Sequence, residues 1–154
     1  MTRSLPSSQV TSTKAWVVFT GQADMRWLLW LRPGFRHCYV VLHDGTRWLS
    51  IDPLSNIMDV TVHHNVPADF DLPCWLAERG HTIVRAQIAR PMREAPWMPF
   101  TCVEVVKRLL GIHHRFILTP WQLYRHIQNQ TEHLSNYANH QGEHTWEVCL
   151  HAQK

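Results

Sequence analysis

The 154-residue chain has no C-x-x-C pair, no run of lysines or arginines, no long apolar stretch and no internal repeat. Each absence removes a class of protein. Its four cysteines, Cys38, Cys74, Cys102 and Cys149, stand singly, so neither a zinc knuckle nor a disulfide framework is expected and the thiols are read as reduced. A formal net charge of +3 from scattered residues excludes the concentrated basic footprint of a nucleic-acid binder. Trp27 to Leu31, as long as any apolar stretch in the chain, is far too short to span a bilayer. Met1 to Lys14 is polar and lacks the apolar centre of a signal peptide, so a cytoplasmic location with no membrane span is expected.

What is present describes one globular unit. With 45% hydrophobic and 18% charged residues the chain is long enough to bury a core, and it reads as a single domain over residues 15–152 behind a loose, aperiodic arm over residues 1–14. Twelve histidines include the adjacent pairs His63-His64 and His113-His114. Adjacent side chains point different ways on a strand or helix, so these are read as solvated surface residues and no metal or other cofactor is expected.

The stretch from Phe100 to Gly111 organises the rest. Thr101 followed by Glu104 is a capping box, Phe100 and Val105 have the spacing of a hydrophobic staple, and Gly111 suits the left-handed position after a helix end. Cys102 is then the first helical residue, where unpaired N–H groups and the helix dipole favour a thiolate. Cys102, Val105, Val106 and Leu109 share one face, and Glu104, Lys107 and Arg108 another. A buried cysteine on an ordinary amphipathic helix fits the same letters, so a nucleophile needs a base elsewhere.

The clearest unit is a hairpin. Phe35 to His43 and Thr46 to Asp52 are strand patterns separated by Asp44-Gly45. A two-residue turn sets His37 directly opposite Asp52, an imidazole beside the carboxylate that would orient it. A three-residue loop removes the pairing and a four-residue loop preserves it. A plain cross-strand ion pair satisfies the same pattern.

Around these lie a first strand over Ala15 to Thr20, a helix from Asp24 to Leu31 read as core, and a strand over Ile57 to Val62. Asp71 and Pro73 open a further helix that ends at Gly80, followed by a strand over Thr82 to Ala89. Pro91, Pro96 and Pro99 make a stiff connection to Thr101. Thr119-Pro120-Trp121-Gln122 is a second capping box, opening a helix to about Gln128, with residues 129–143 read as loop and Thr145 to Leu150 as a last strand.

Cys102, His37 and Asp52 together supply nucleophile, base and orienter, the combination that covalent acyl transfer requires. The order His, acid, then the helix Thr101-Cys102-Val103-Glu104-Val105-Val106, with the base in Arg36-His37-Cys38-Tyr39-Val40-Val41, resembles the circularly permuted papain-like proteins of the NlpC/P60 superfamily. The likeness covers roughly residues 35–125. It implies an α+β fold, an antiparallel sheet packed against helices with the nucleophile at a helix N-terminus, and a cysteine hydrolase or acyltransferase acting on an amide or ester bond through Cys102, His37 and Asp52. Peptidoglycan peptides and lipids are among the substrate classes of such proteins. The chain departs from the family where Cys38 and Tyr39 replace the small, glycine-containing strand that often follows the histidine, which narrows the space near the base. Similar chains of bacterial prophages and phages extend the expected setting to a virion component. The alternative is a catalytically silent papain-like module whose tryptophan-rich surface binds protein partners in a bacterial or phage assembly.

Overall fold

The computed structural model describes residues 13–22, 26–54, 57–89, 94 and 97–139. Five strands among these residues form one antiparallel sheet: β1 (Lys14–Thr20), β2 (His37–His43), β3 (Trp48–Pro53), β4 (Met58–Val62) and β5 (Thr82–Ala86), in the order β4-β3-β2-β1-β5. Among the described residues three α-helices complete an α+β architecture: α1 (Leu72–Glu78), α2 (Cys102–Leu110) and α3 (Pro120–Asn139). None of the described helices is long and apolar enough to cross a membrane.

Alternation along the central strand explains the layering. In β1, Val17 and Phe19 bury into one cluster with Cys38, Val40, Val103, Val106, Leu110, Leu123 and Ile127, while Val18 faces the other way onto Val41, Trp48, Leu72 and Leu76. The sheet therefore carries α2 and α3 on one face and α1 on the other. Each fully buried aliphatic or aromatic side chain contributes about 1.5–3 kcal/mol, and the run of them in β1 makes that strand the spine of both cores.

Helix ends follow their local chemistry. The Asp71 carboxylate accepts from the Cys74 N–H (3.0 Å) to open α1, with proline in its first turn. Thr101 Oγ1 accepts from the Glu104 N–H (3.2 Å), and Gly111 closes α2 at φ 73°. Phe100 stays 66% exposed, so the expected staple covers little of it. At α3 the box is reciprocal: Thr119 Oγ1 accepts from the Gln122 N–H (3.3 Å) while Gln122 Oε1 accepts from the Thr119 N–H (3.0 Å).

Several expectations need correction. The β2–β3 loop has four residues, because His43 pairs with Trp48. Asp44 imposes this: its Oδ1 accepts from the Thr46 N–H, the Thr46 hydroxyl and the Arg47 N–H, each at 2.8 Å, fixing a wider turn than Asp-Gly alone. The register moves by two residues, so His37 and Asp52 are diagonal rather than directly opposite, yet stay on one face. The helix expected over Asp24 to Leu31 is a short 3-10 turn, Arg26–Trp30, whose period gives no sustained apolar stripe. Leu28 and Leu31 are only half-buried and Trp30 is 95% exposed, so the turn adds little to the core, and Asp24 lies outside the described residues. Helix α3 runs through the expected loop to Asn139, since no glycine or proline interrupts residues 121–141. Pro91, Pro96 and the strand expected over Thr145 to Leu150 also lie outside the described residues, as do residues 1–12 of the arm.

Candidate active site

Three separate elements bring Cys102, His37 and Asp52 together. Cys102 opens α2 and packs against the core cluster that contains Cys38. His37 opens β2, beyond the residues that ladder with β3. Asp52, near the end of β3, lines a cleft on the α1 side of the sheet. Base and orienter therefore do not both face α2. His37 stands at the strand end and bridges the faces, with Asp52 on one side and Cys102 on the other.

His37 Nε2 lies 2.6 Å from Asp52 Oδ1, and the two side chains are 18% and 29% exposed. An imidazole has two ring nitrogens, so a bond at Nε2 leaves Nδ1 to serve Cys102. Burial alone would pull the His37 pKa down. Hydrogen bonds to Asp52 and Cys102 and the negative charge of both outweigh it, and the pKa rises to about 9. Cys102 moves the opposite way, to about 5. A hydrogen bond from the Cys38 thiol is the largest cause, burial opposes it, and the His37 hydrogen bond and charge and the Cys38 backbone N–H complete the shift. Between these values the pair rests as thiolate and imidazolium.

Cys38 is the residue that sequence reasoning placed only as an obstruction near the base. Alternation held the signal: next to His37 on a strand, its side chain points to the opposite face, where α2 packs. Its own pKa is pushed well up by burial first, then by the hydrogen bond and charge of Cys102 and by Asp52. It is thus a neutral donor to an anionic sulfur. Tyr39, next along β2, faces the cleft, and burial followed by the Asp52 charge pushes its pKa up to about 12.

The cleft beside Asp52 has a volume of about 450 Å³. Val66, Phe70, Leu72 and Trp75 give it an apolar wall, whereas Ser50, Asp59 and His63 are polar. The His63 Nε2 to Ser50 Oγ distance of 3.0 Å places that histidine in a hydrogen bond rather than free in solvent. Among the described residues no group of three or more His, Cys, Asp or Glu side chains has a metal-binding arrangement.

Helix α2 holds a second charged cluster. Lys107 and Glu104, read only as a polar stripe, are both buried; Lys107 Nζ meets Glu104 Oε2 at 2.7 Å and the Ile117 carbonyl at 3.3 Å. Arg108 Nε reaches Glu104 Oε1 at 3.0 Å from the exposed side. A charged stripe between two apolar ones is hard to tell from a solvated face until α3 and its preceding loop are in place.

Searches of family models, curated proteins and solved structures returned no match to this chain.

Proposed function

We propose that the protein is a cysteine-dependent hydrolase or acyltransferase acting on an amide or ester carbonyl, with Cys102 as nucleophile, His37 as proton carrier and Asp52 as its orienter. The observation that carries this reading is the opposite displacement of two contacting groups: Cys102 is held down to about 5 and His37 up to about 9, with Asp52 at 2.6 Å. A structural thiol has no need of that arrangement, and perturbed pairs of this kind concentrate at reactive sites.

In the proposed reaction the Cys102 thiolate adds to the carbonyl carbon. The oxyanion meets the Cys102 backbone N–H, which, as the first of the helix, has no partner within α2. His37 delivers its proton to the leaving group, leaving a thioester on Cys102 and a neutral imidazole. That imidazole then takes a proton from water or another acceptor, whose oxygen or nitrogen attacks the thioester and releases Cys102. Asp52 holds the ring tautomer throughout. The chain order of base, acid and nucleophile, on strands followed by a helix, agrees with a permuted papain-like arrangement.

Alkylation of the intact protein by iodoacetamide across pH, with the modified cysteine mapped by mass spectrometry, tests the reading. Selective Cys102 labelling on the acid side of neutrality, lost in His37→Ala, is the expected result. Uniformly slow labelling of Cys102 in both proteins would sink it. A second reading, a silent module that binds a protein partner, draws on the strong exposure of Trp30 (95%) and Trp97 (92%). It expects assembly to survive Cys102→Ala unchanged.

A further inference from the structure

The site contains a second thiol that the acyl-transfer reaction does not consume. Cys38 is fully buried within the core cluster against which Cys102 packs, and its thiol and backbone N–H are among the groups that hold the Cys102 pKa down. A thiol donor beside a thiolate is one oxidation state away from a covalent bond. Cys38 and Cys102 belong to different elements, β2 and α2, so such a bond would tie sheet to helix.

We propose that Cys38 and Cys102 form a resolving pair, in which a hydroperoxide oxidises Cys102 and Cys38 captures it as an intramolecular disulfide. The inference shares with the proposed function only a reactive Cys102 and is independent of any acyl substrate. In the first step the Cys102 sulfur attacks the distal oxygen of the peroxide, the O–O bond breaks, and Cys102 becomes a sulfenic acid. The departing oxygen takes the His37 proton and leaves as water or an alcohol. In the second step the Cys38 sulfur attacks the Cys102 sulfur, the S–S bond forms, and the sulfenic oxygen leaves with the Cys38 proton as water. Two thiols and one hydroperoxide thus give a disulfide and two molecules of water, or one of water and one of alcohol.

The surroundings favour the second step once the first has occurred. Two of the causes that hold Cys38 protonated, the hydrogen bond to Cys102 and its negative charge, vanish when Cys102 becomes neutral. Burial, the largest cause, remains, and it also keeps external thiols away from Cys38. Competition from within the described chain is weak, because Cys74 sits on α1, across the sheet from α2.

The experiment is exposure of the full chain to hydrogen peroxide at low molar excess, followed by intact mass and peptide mapping without reductant. The expected result is loss of the mass of two hydrogens, a linked pair of peptides carrying Cys38 and Cys102, loss of Cys102 alkylation, and recovery of all three with dithiothreitol. In Cys38→Ala the disulfide is lost and a dimedone adduct accumulates on Cys102. Should that core substitution prevent folding, the wild-type map decides alone, and Cys74→Ser with Cys149→Ser should leave the linkage intact. Addition of two oxygens to Cys102, or linkage through Cys74 or Cys149, would overturn the proposal. Alkylation without peroxide separates the two readings: fast acid-range labelling of a Cys102 that never links to Cys38 leaves the acyl-transfer reading standing alone. A Cys102 that links to Cys38 yet alkylates as an ordinary thiol does the reverse.

Discussion

Two charged clusters share helix α2, and they are built on opposite plans. The Glu104, Lys107 and Arg108 cluster draws its side chains from consecutive turns of one helix, and its carboxylate and ammonium are 6% and 1% exposed. Lys107 is further tied to the Ile117 carbonyl, so the loop before α3 is pinned to the helix. The Cys102, His37 and Asp52 cluster draws one group from each of three elements and remains partly open to solvent. A closed, local cluster ties structure together; an open one gathered from a distance would, on the proposed reading, position groups for a molecule that is not part of the chain. Substitutions in each should therefore read out differently.

The largest expected effect is Cys102→Ala, which should abolish thioester formation while leaving the urea unfolding midpoint close to wild type. A large loss of stability would place Cys102 with the structural cluster and break the comparison. Next in size is Lys107→Ala. Leaving Glu104 buried without its ammonium should cost about 3–5 kcal/mol by urea titration, whereas Glu104→Leu with Lys107→Met should recover most of that. In folded protein neither change should move the pH dependence of Cys102 alkylation.

His37→Ala comes third. Removing the imidazolium should raise the Cys102 titration midpoint from about 5 toward the ordinary thiol value. Labelling at neutral pH should fall by roughly 10- to 100-fold as the thiolate fraction drops. The sign differs between assays. Alkylation needs only the thiolate, so it rises through the Cys102 pKa and stays high, whereas acyl transfer also needs protonated His37 and should fall as pH rises through about 9. Asp52→Asn should be milder. It removes a carboxylate that supports the raised His37 pKa, so the alkaline limb moves to lower pH, by on the order of one unit or tenfold in rate.

How much was legible in the sequence depended on how local each cause is. Caps and stops were readable because Thr101, Asp71, Thr119 and Gly111 act on backbone within a few residues. The likeness of His37 to a base beside Asp52 was readable because face parity survives a two-residue change of register, although the turn itself was misjudged. Cys38 as a partner and Lys107 as a core residue were not read, since both depend on what packs over them from a distant part of the chain. The polar run after Gln128 misled for a related reason: helix α3 packs on β5, where the Thr131 hydroxyl reaches the Arg85 carbonyl at 3.5 Å, and no pattern of polar letters announces that support.

Thr101→Ala carries the smallest expected effect and the sharpest test of what holds the thiolate. Thr101 Oγ1 accepts from the Glu104 N–H at 3.2 Å, so removing it leaves one donor of the first turn unpaired and should cost about 1 kcal/mol in urea unfolding. The backbone N–H groups and their dipole remain, as do the Cys38 and His37 hydrogen bonds to the sulfur. Because the Cys38 thiol does most to hold the Cys102 pKa down, the Cys102 alkylation midpoint should hardly move. A shift of a full unit or more would instead show that the helix end itself carries the thiolate. Cys102 would then belong with its helix in the way Lys107 does, and the contrast between the two clusters would have to be redrawn around the capping residue.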